Sequence, residues 1–271
     1  MITNILTFDV EDWFHILEIG NTGDWQRYRS RVLTNTRKII TLLAANRIKA
    51  TFFVLGLVAE RYPDLVSEID AAGHEIASHG YGHELVYRQK PEEFRSDLRR
   101  SIDILETVTG KKVLGYRAPS FSVTEQTPWV FEILANEGCR YDSSVFPARR
   151  LYGGFARAPR FIYQDQRTGI YELPISVTQL SRLRLPFASG GYFRLFPYFF
   201  IDHALRAINS AGQPVIVILH PREFDPLQPH LPMPFYRKFL CYINIASTES
   251  KLKRLLKQHR FAPARKAIDC G

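Results

Sequence analysis

The chain is poor in sulfur. Among its 271 residues are three cysteines, Cys139, Cys241 and Cys270, and two methionines. An odd cysteine count with no CxxC pair argues against a thiolate zinc site and against a disulfide framework. Long apolar runs are also missing. The longest are Phe196–Ile201 and Val215–Leu219, whereas a membrane-spanning helix needs about 20 apolar residues. The stretch Ile2-Thr3-Asn4-Ile5-Leu6-Thr7-Phe8 enters a strand pattern at once, with no basic leader before an apolar segment. The sequence therefore predicts no secretory signal and a cytoplasmic protein with reduced thiols. There is no internal repeat, no low-complexity linker, and no helix-turn-helix, zinc-finger or RRM-like pattern.

Positive charge is in excess, and it is unevenly placed. Lys and Arg number 36 against 27 Asp and Glu, a formal net charge of +9. Residues 1–140 carry 17 basic and 19 acidic side chains, and residues 141–271 carry 19 and 8. The second half thus holds the whole excess. A basic surface attracts nucleic acid, anionic lipid head groups or acidic glycans, and charge alone does not choose among them. The absent nucleic-acid motifs argue against the first. The chain is 45% hydrophobic and 23% charged, so it can bury a core without staples.

Short apolar runs alternate with amphipathic stretches. Strands are predicted at Ile2–Phe8, Lys49–Leu55, His74–Ser78, Val113–Tyr116, Cys139–Tyr141, Ile170–Leu173 and Val215–Leu219. Helices are predicted at Val32–Asn46, Pro63–Ala72, from Pro91 to Gly110, from Thr127 to Gly138, at Pro197–Ala211 and at Thr248–His259. Proline at the start and glycine after the end punctuate several of them. Repeated strand–helix–strand order predicts an α/β fold with a mainly parallel sheet, in which functional residues follow the strands. Two irregular stretches, Ser143–Gly169 with Arg149, Arg150, Arg157, Arg160 and Arg167, and Pro221–Pro234 with five prolines, are long enough to cover or build a site.

The residues at the strand ends carry the chemistry. Asp9-Val10-Glu11-Asp12 puts three carboxylates in four positions after the first strand. Such a cluster is costly without a cation or solvent. His79 and His83, spaced by four and separated by glycines, follow another strand. With a carboxylate from elsewhere they make a His-His-carboxylate metal set. Arg117 follows a third strand and can orient a carboxylate. Asp142 and His220 follow two more. Each feature alone has a bland explanation: a solvated turn, loop histidines, a surface ion pair or a core histidine. Their shared location makes the set more specific than any member.

In this order the motifs resemble those of the polysaccharide deacetylases of carbohydrate esterase family 4, which share the NodB-homology fold. The resemblance rests on Thr7-Phe8-Asp9, on Gly73-His74-Glu75-Ile76 through His83, on Arg117-Ala118-Pro119-Ser120-Phe121, on Tyr141-Asp142-Ser143-Ser144 and on Leu219-His220-Pro221. The chain further resembles a branch found in exosortase and exopolysaccharide loci. That likeness is carried by Phe8 through His15, Tyr141 through Pro147, Gly190-Gly191-Tyr192-Phe193-Arg194 and His220 through Pro226.

The resemblance implies a distorted (β/α) barrel spanning residues 1–271 as one domain, with a catalytic core over about 1–222 and a C-terminal extension at 223–271 carrying the basic helix. It implies metal-dependent removal of N-acetyl groups from amino sugars, with zinc as the expected metal, in exopolysaccharide or O-antigen synthesis. Asp9 would be the base, His220 the acid, and His79 and His83 metal ligands. Arg117 would orient Asp9, and Asp142 would support His220. Val10 stands where the family's first motif has a second aspartate, so the metal carboxylate is Glu11 or Asp12. Side chains two apart share one side of an extended strand, which favours Glu11.

Trp13, Tyr81, Phe121 and Tyr192 lie near the motifs and are candidate sugar-stacking rings, with ordinary core packing as the alternative. His15 and His74 read as structural. Ser189-Gly190-Gly191 suits close backbone approach. Thr248–Lys266 is strongly basic, with Leu252, Leu255 and Leu256 as an apolar stripe. It reads as a docked outer helix, or as a surface for an anionic membrane or lipid-linked glycan. The expected partner is an N-acetylated glycan and not nucleic acid, and no oligomeric state is legible. Two rival functions are an allantoinase-like amidohydrolase and a non-catalytic carbohydrate-binding relative.

Overall fold

Alternating strands and helices build a curled, mostly parallel sheet. The structure is a computed structural model, described for residues 2–15, 25, 27–148, 154–181 and 183–269. Arg149, Arg150 and Cys270 of the sequence reading lie outside the described residues. In chain order the elements are β1 (Thr3–Val10), α1 (Val32–Ala45), β2 (Thr51–Val54), α2 (Gly56–Arg61), α3 (Pro63–Ala71), β3 (Glu75–Ser78), α4 (Pro91–Thr109), β4 (Gly115–Tyr116), α5 (Trp129–Asn136) and β5 (Tyr141–Asp142). Then follow β6 (Tyr163–Gln164), β7 (Tyr171–Glu172), β8 (Val177–Leu180), β9 (Leu183–Pro186), α6 (Gly190–Leu195), α7 (Tyr198–Ser210), β10 (Ile216–Leu219), α8 (Phe235–Tyr242), α9 (Thr248–Gln258) and β11 (Arg260–Ala262).

The sheet runs β10-β1-β2-β3-β4-β5-β7-β6, with β11 also on β1 and a separate β8–β9 hairpin. All its ladders are parallel except β6 with β7. The two ends of that path do not pair with each other, so the distorted-barrel expectation holds as an open, curled sheet. Parallel strands covered on both faces read as unbroken apolar runs. That is why β10, Ile-Val-Ile-Leu, is buried at every position.

β1 sorts its side chains by the strand period of two. Leu6, Phe8 and Val10 join the larger core under the helices, while Ile5 joins the smaller core on the other face. Thr7 and Asp9 continue the Ile5 side, so the inner face turns from apolar to ionic toward the C-terminal end of β1. The ring of Phe8 stacks on that of Phe52 at 5.1 Å. Burying each contributes about 1.5–3 kcal/mol.

Helix ends follow local chemistry. In α4, Pro91 opens the first turn, and Glu93 reaches back to accept from the Lys90 N–H at 2.7 Å. Gly110, at φ 66, closes it by donating to Glu106 O at 2.8 Å. This satisfies groups that a helix end would otherwise leave unpaired.

Several elements differ from the sequence reading. The strand predicted at Cys139–Tyr141 is displaced to Tyr141–Asp142, and that at Val113–Tyr116 shrinks to its last two residues. The reason is that Leu114 O is taken by the Arg140 N–H, so regular pairing starts late. The proline-rich stretch holds a 3-10 turn, Pro221–Phe224, and is followed by α8. The basic α9 is docked by its leucines: Leu252, Leu255 and Leu256 are buried. No helix among the described residues is long and apolar enough to cross a membrane.

Candidate active site

Four strand ends converge on one cavity of about 270 Å³. β1 delivers Asp9 and Glu11, the end of β3 delivers His79 and His83, the end of β4 delivers Arg117, and the end of β10 delivers His220. The segment before α6 lies along β10, where the Ile218 N–H donates to Ala188 O at 2.9 Å. That contact brings Gly190, Gly191 and Tyr192 to the cavity wall.

Asp9 is 2% exposed and Arg117 is fully buried. Arg117 Nη1 donates to Asp9 Oδ1 at 2.6 Å and to Thr7 Oγ1 at 2.8 Å. Its Nε and Nη2 donate to Ser143 O and Oγ. The guanidinium also lies 4.0 Å from the Phe53 ring centroid. With its donors committed and one face stacked, it fixes the Asp9 carboxylate in place.

Glu11, His79 and His83 are buried, and their ligand atoms lie within 4.8 Å of one another. Glu11 Oε2 is 2.5 Å from His83 Nε2 and 3.8 Å from His79 Nε2, yet it lacks a well-formed hydrogen bond. A buried carboxylate oxygen in that state is costly. His79 Nδ1 donates to Arg117 O at 2.8 Å, which turns the bare Nε2 toward Glu11. Burial pushes His79 down to about 4, so it is neutral at pH 7, the form that ligates metal. Burial alone would raise Glu11, but His83, His220 and His79 outweigh it and hold the carboxyl far below its usual range. Two imidazoles and a carboxylate are a donor set that fits a divalent metal with open positions. His83 reaches Glu11 from a left-handed backbone, φ 58, a conformation that persists only when surroundings enforce it.

His220 is the exposed edge of the group, with 21% of its side chain accessible. Its Nε2 is 3.6 Å from Asp9 Oδ2, and its Nδ1 is 3.7 Å from Glu223 Oε2. Burial opposes its charge, but Glu223 above all, then Asp9 and Glu11, raise it to about 9.

The structure does not bring every candidate into the cavity. Asp12 points away from the metal cluster. Its carboxylate accepts from the backbone N–H of Trp13 and Arg31, at the entry to α1. Asp142 is not beside His220. It accepts from the Ser144 hydroxyl and faces Glu172 of β7, and burial raises both carboxyls. Two buried carboxylates this close hold a proton between them. Trp13 packs with Phe14 and Leu231, and its indole donates to Arg29 O. Tyr81 donates to Glu60 and lies under Arg100. Phe121 and Tyr192 do line the cavity. His15 lines it as well. It accepts from the Asp12 N–H, and burial pushes it to about 3.

Two residues without a role in the sequence reading enter here. Glu223 sits beside His220 and is held by Arg194 at 3.3 Å, both side chains 2% exposed. Arg194 also donates to Leu240 O and Cys241 O of α8. The signal for Glu223 was in the sequence: a proline after His220 and an acid three residues on form a capping box, in which the His220 N–H donates to Glu223 at 3.1 Å.

Comparison with known proteins divides the chain near residue 140. The polysaccharide deacetylase family matches residues 5–139, and a domain of unknown function (DUF3473) matches residues 143–269. A peptidoglycan-N-acetylglucosamine deacetylase of Bacillus cereus is 34% identical over 98 residues, which is 36% of this chain and 36% of that protein. The match thus spans about a third of that relative's length. Among solved structures, a Mycobacterium smegmatis protein assigned to the polysaccharide deacetylases superposes with a TM-score of 0.64 at 21% identity, covering 98% of this chain and 88% of its own. The Puue allantoinase superposes with a TM-score of 0.60 at 16% identity, covering 95% and 85%. At these identities the two structures establish the fold alone. Residues 5–139, which contain Asp9, Glu11, His79, His83 and Arg117, match the polysaccharide deacetylase family.

Proposed function

We propose that the protein is a metal-dependent hydrolase that removes N-acetyl groups from the amino sugars of a glycan, in the exopolysaccharide branch its motifs resemble. One observation carries this: a buried Glu11–His79–His83 donor set shares one cavity with an arginine-held Asp9 and with His220. Residues 1–271 act as one unit in this reading, because β10, which carries His220, is hydrogen-bonded to β1, which carries Asp9. The peptidoglycan-type relatives of the first half point to an N-acetylated amino sugar as substrate.

Glu11, His79 and His83 would hold the metal, with zinc favoured by the donors. Bound there, it would polarise the acetyl carbonyl and lower the pKa of water. Asp9 uses Oδ1 for Arg117, so Oδ2 is the oxygen free to take a proton from the attacking water. His220 Nε2, 3.6 Å from that oxygen, donates a proton to the departing amine. An amide nitrogen leaves poorly without one. Glu223 on the other ring nitrogen keeps His220 protonated at neutral pH. Phe121 and Tyr192 flank the sugar.

The test is acetate release from N-acetylated chito-oligosaccharides and peptidoglycan fragments, before and after a chelator, with allantoin assayed in parallel. Chelator-sensitive acetate release supports the reading. Turnover of allantoin alone assigns the site to a different amide. Glycan binding with no turnover under any metal assigns a non-catalytic protein.

A further inference from the structure

We propose that α8 is a membrane-docking helix whose partner is an anionic bilayer surface, so that the cavity receives a glycan carried on a lipid. The docking surface stands on its own geometry. Only the chemistry of the head group rests on the deacetylase reading.

α8, Phe-Tyr-Arg-Lys-Phe-Leu-Cys-Tyr, has none of its eight residues buried. Successive helix positions turn by about 100°, which splits it into two faces. Arg237, Leu240 and Cys241 form one face and line the catalytic cavity. That face is tied down. Arg194 donates to Leu240 O at 2.9 Å and to Cys241 O at 2.8 Å. Gly191 passes so close that a Cβ there would lie 2.6 Å from Leu240 O. The other face presents Phe235, Tyr236 and Phe239, which are 84%, 51% and 46% exposed. Lys238 flanks this arc and is exposed. The helix is thus anchored at the cavity on one side and carries bare aromatics on the other.

Single exposed apolar residues are ordinary, but grouped ones mark an interaction site. The large exposed hydrophobic residues among those described are Leu180, Leu183, Phe199, Leu227, Phe235, Tyr236 and Phe239, all within residues 180–239. They fall in the half of the chain with 19 basic against 8 acidic residues. Aromatic rings beside positive charge suit the boundary between head groups and acyl chains, where the ring is buried and the cation meets lipid phosphate. The same logic removes α9 from consideration, because its leucines are already buried. A sugar seated in the cavity meets the Arg237 and Leu240 face, which leaves the aromatic arc free for the bilayer.

The test is flotation of the full chain with phosphatidylcholine vesicles, with and without phosphatidylglycerol. The variants are Phe235→Ser combined with Phe239→Ser, and Lys238→Glu. We expect binding that is stronger with phosphatidylglycerol and that falls about tenfold or more in the double serine variant. It should fall by a smaller factor in Lys238→Glu, while hydrolysis of a water-soluble N-acetylated oligosaccharide stays equal in all three proteins. Absence of vesicle binding, or equal binding by the serine variant, overturns the proposal. So does a dimer in sedimentation velocity that the serine variant dissolves, since it assigns the face to a second copy. Loss of retention on insoluble glycan, in place of vesicles, overturns it in favour of a polymer track. Vesicle binding without hydrolysis would overturn the deacetylase reading and leave the docking surface standing.

Discussion

The two halves of this chain meet in one cavity but have been built differently. The first half contributes Asp9, Glu11, His79, His83 and Arg117, their side chains all buried, from the ends of β1, β3 and β4. Among the described residues, its large hydrophobic side chains are absent from the exposed set. The second half contributes His220, Glu223 and Arg194, most of the cavity's outer wall, and every exposed large hydrophobic residue among those described. A metal-type donor cluster must be fixed and dry, because unpaired ligands in a low-dielectric interior are costly. A wall that admits the proposed glycan must open to solvent. The difference teaches that the buried donor cluster and most of the cavity's open wall come from separate stretches of sequence, with His220 where they meet.

The comparison breaks most readily at Asp9. Asp9→Asn should lower kcat by about 10²–10⁴-fold with bound metal unchanged by elemental analysis. His79→Ala should lose the metal itself. Undiminished turnover in Asp9→Asn would remove the first half from the chemistry. Arg117→Ala leaves the Asp9 carboxylate buried and unpaired, and should cost about 3–5 kcal/mol in urea unfolding. A loss below about 1 kcal/mol would show that solvent reaches Asp9.

The second half is sharpened by Glu223→Gln. His220 is raised to about 9, chiefly by Glu223 acting against burial. As an acid it works while protonated, so the wild-type rate should fall as pH rises through about 9. Without the Glu223 charge that limb should move toward the ordinary value of 6.5. The same group adds stability that is full below 6.5 and fades as pH climbs through about 9. An unmoved limb would free His220 from Glu223. Gly191→Ala should be milder. Its Cβ would press on Leu240 O, costing about 1–3 kcal/mol in stability and raising KM as α8 shifts. The smallest effect is expected from Asp12→Asn, which should keep full metal occupancy because its carboxylate serves the backbone at α1. Lost metal there would move the site away from Glu11.

Much of this was legible because local patterns and tertiary needs agree. β1, β2 and β10 read as strands because they are buried on both faces, and α4 reads as a helix because its start and stop are chemically marked. Other features had no local signature. α8 follows a run of prolines and turns aromatic residues outward, against the usual sense of an amphipathic pattern. Asp142 stands at a strand end like the others, but Glu172 arrives from β7 to occupy it.

The sequence by itself determined the alternation that makes a parallel sheet and the functional residue types that follow its strands. Those depend on periodicity, turn residues and burial, which are properties of short segments. Only the tertiary structure decided that Glu172 stands against Asp142 and which helix is left with a bare face. Those choices depend on contacts between residues as far apart as Asp9 and Arg117, or Gly191 and Leu240. No local pattern encodes such distances. They follow from how the sheet curls and closes its cavity.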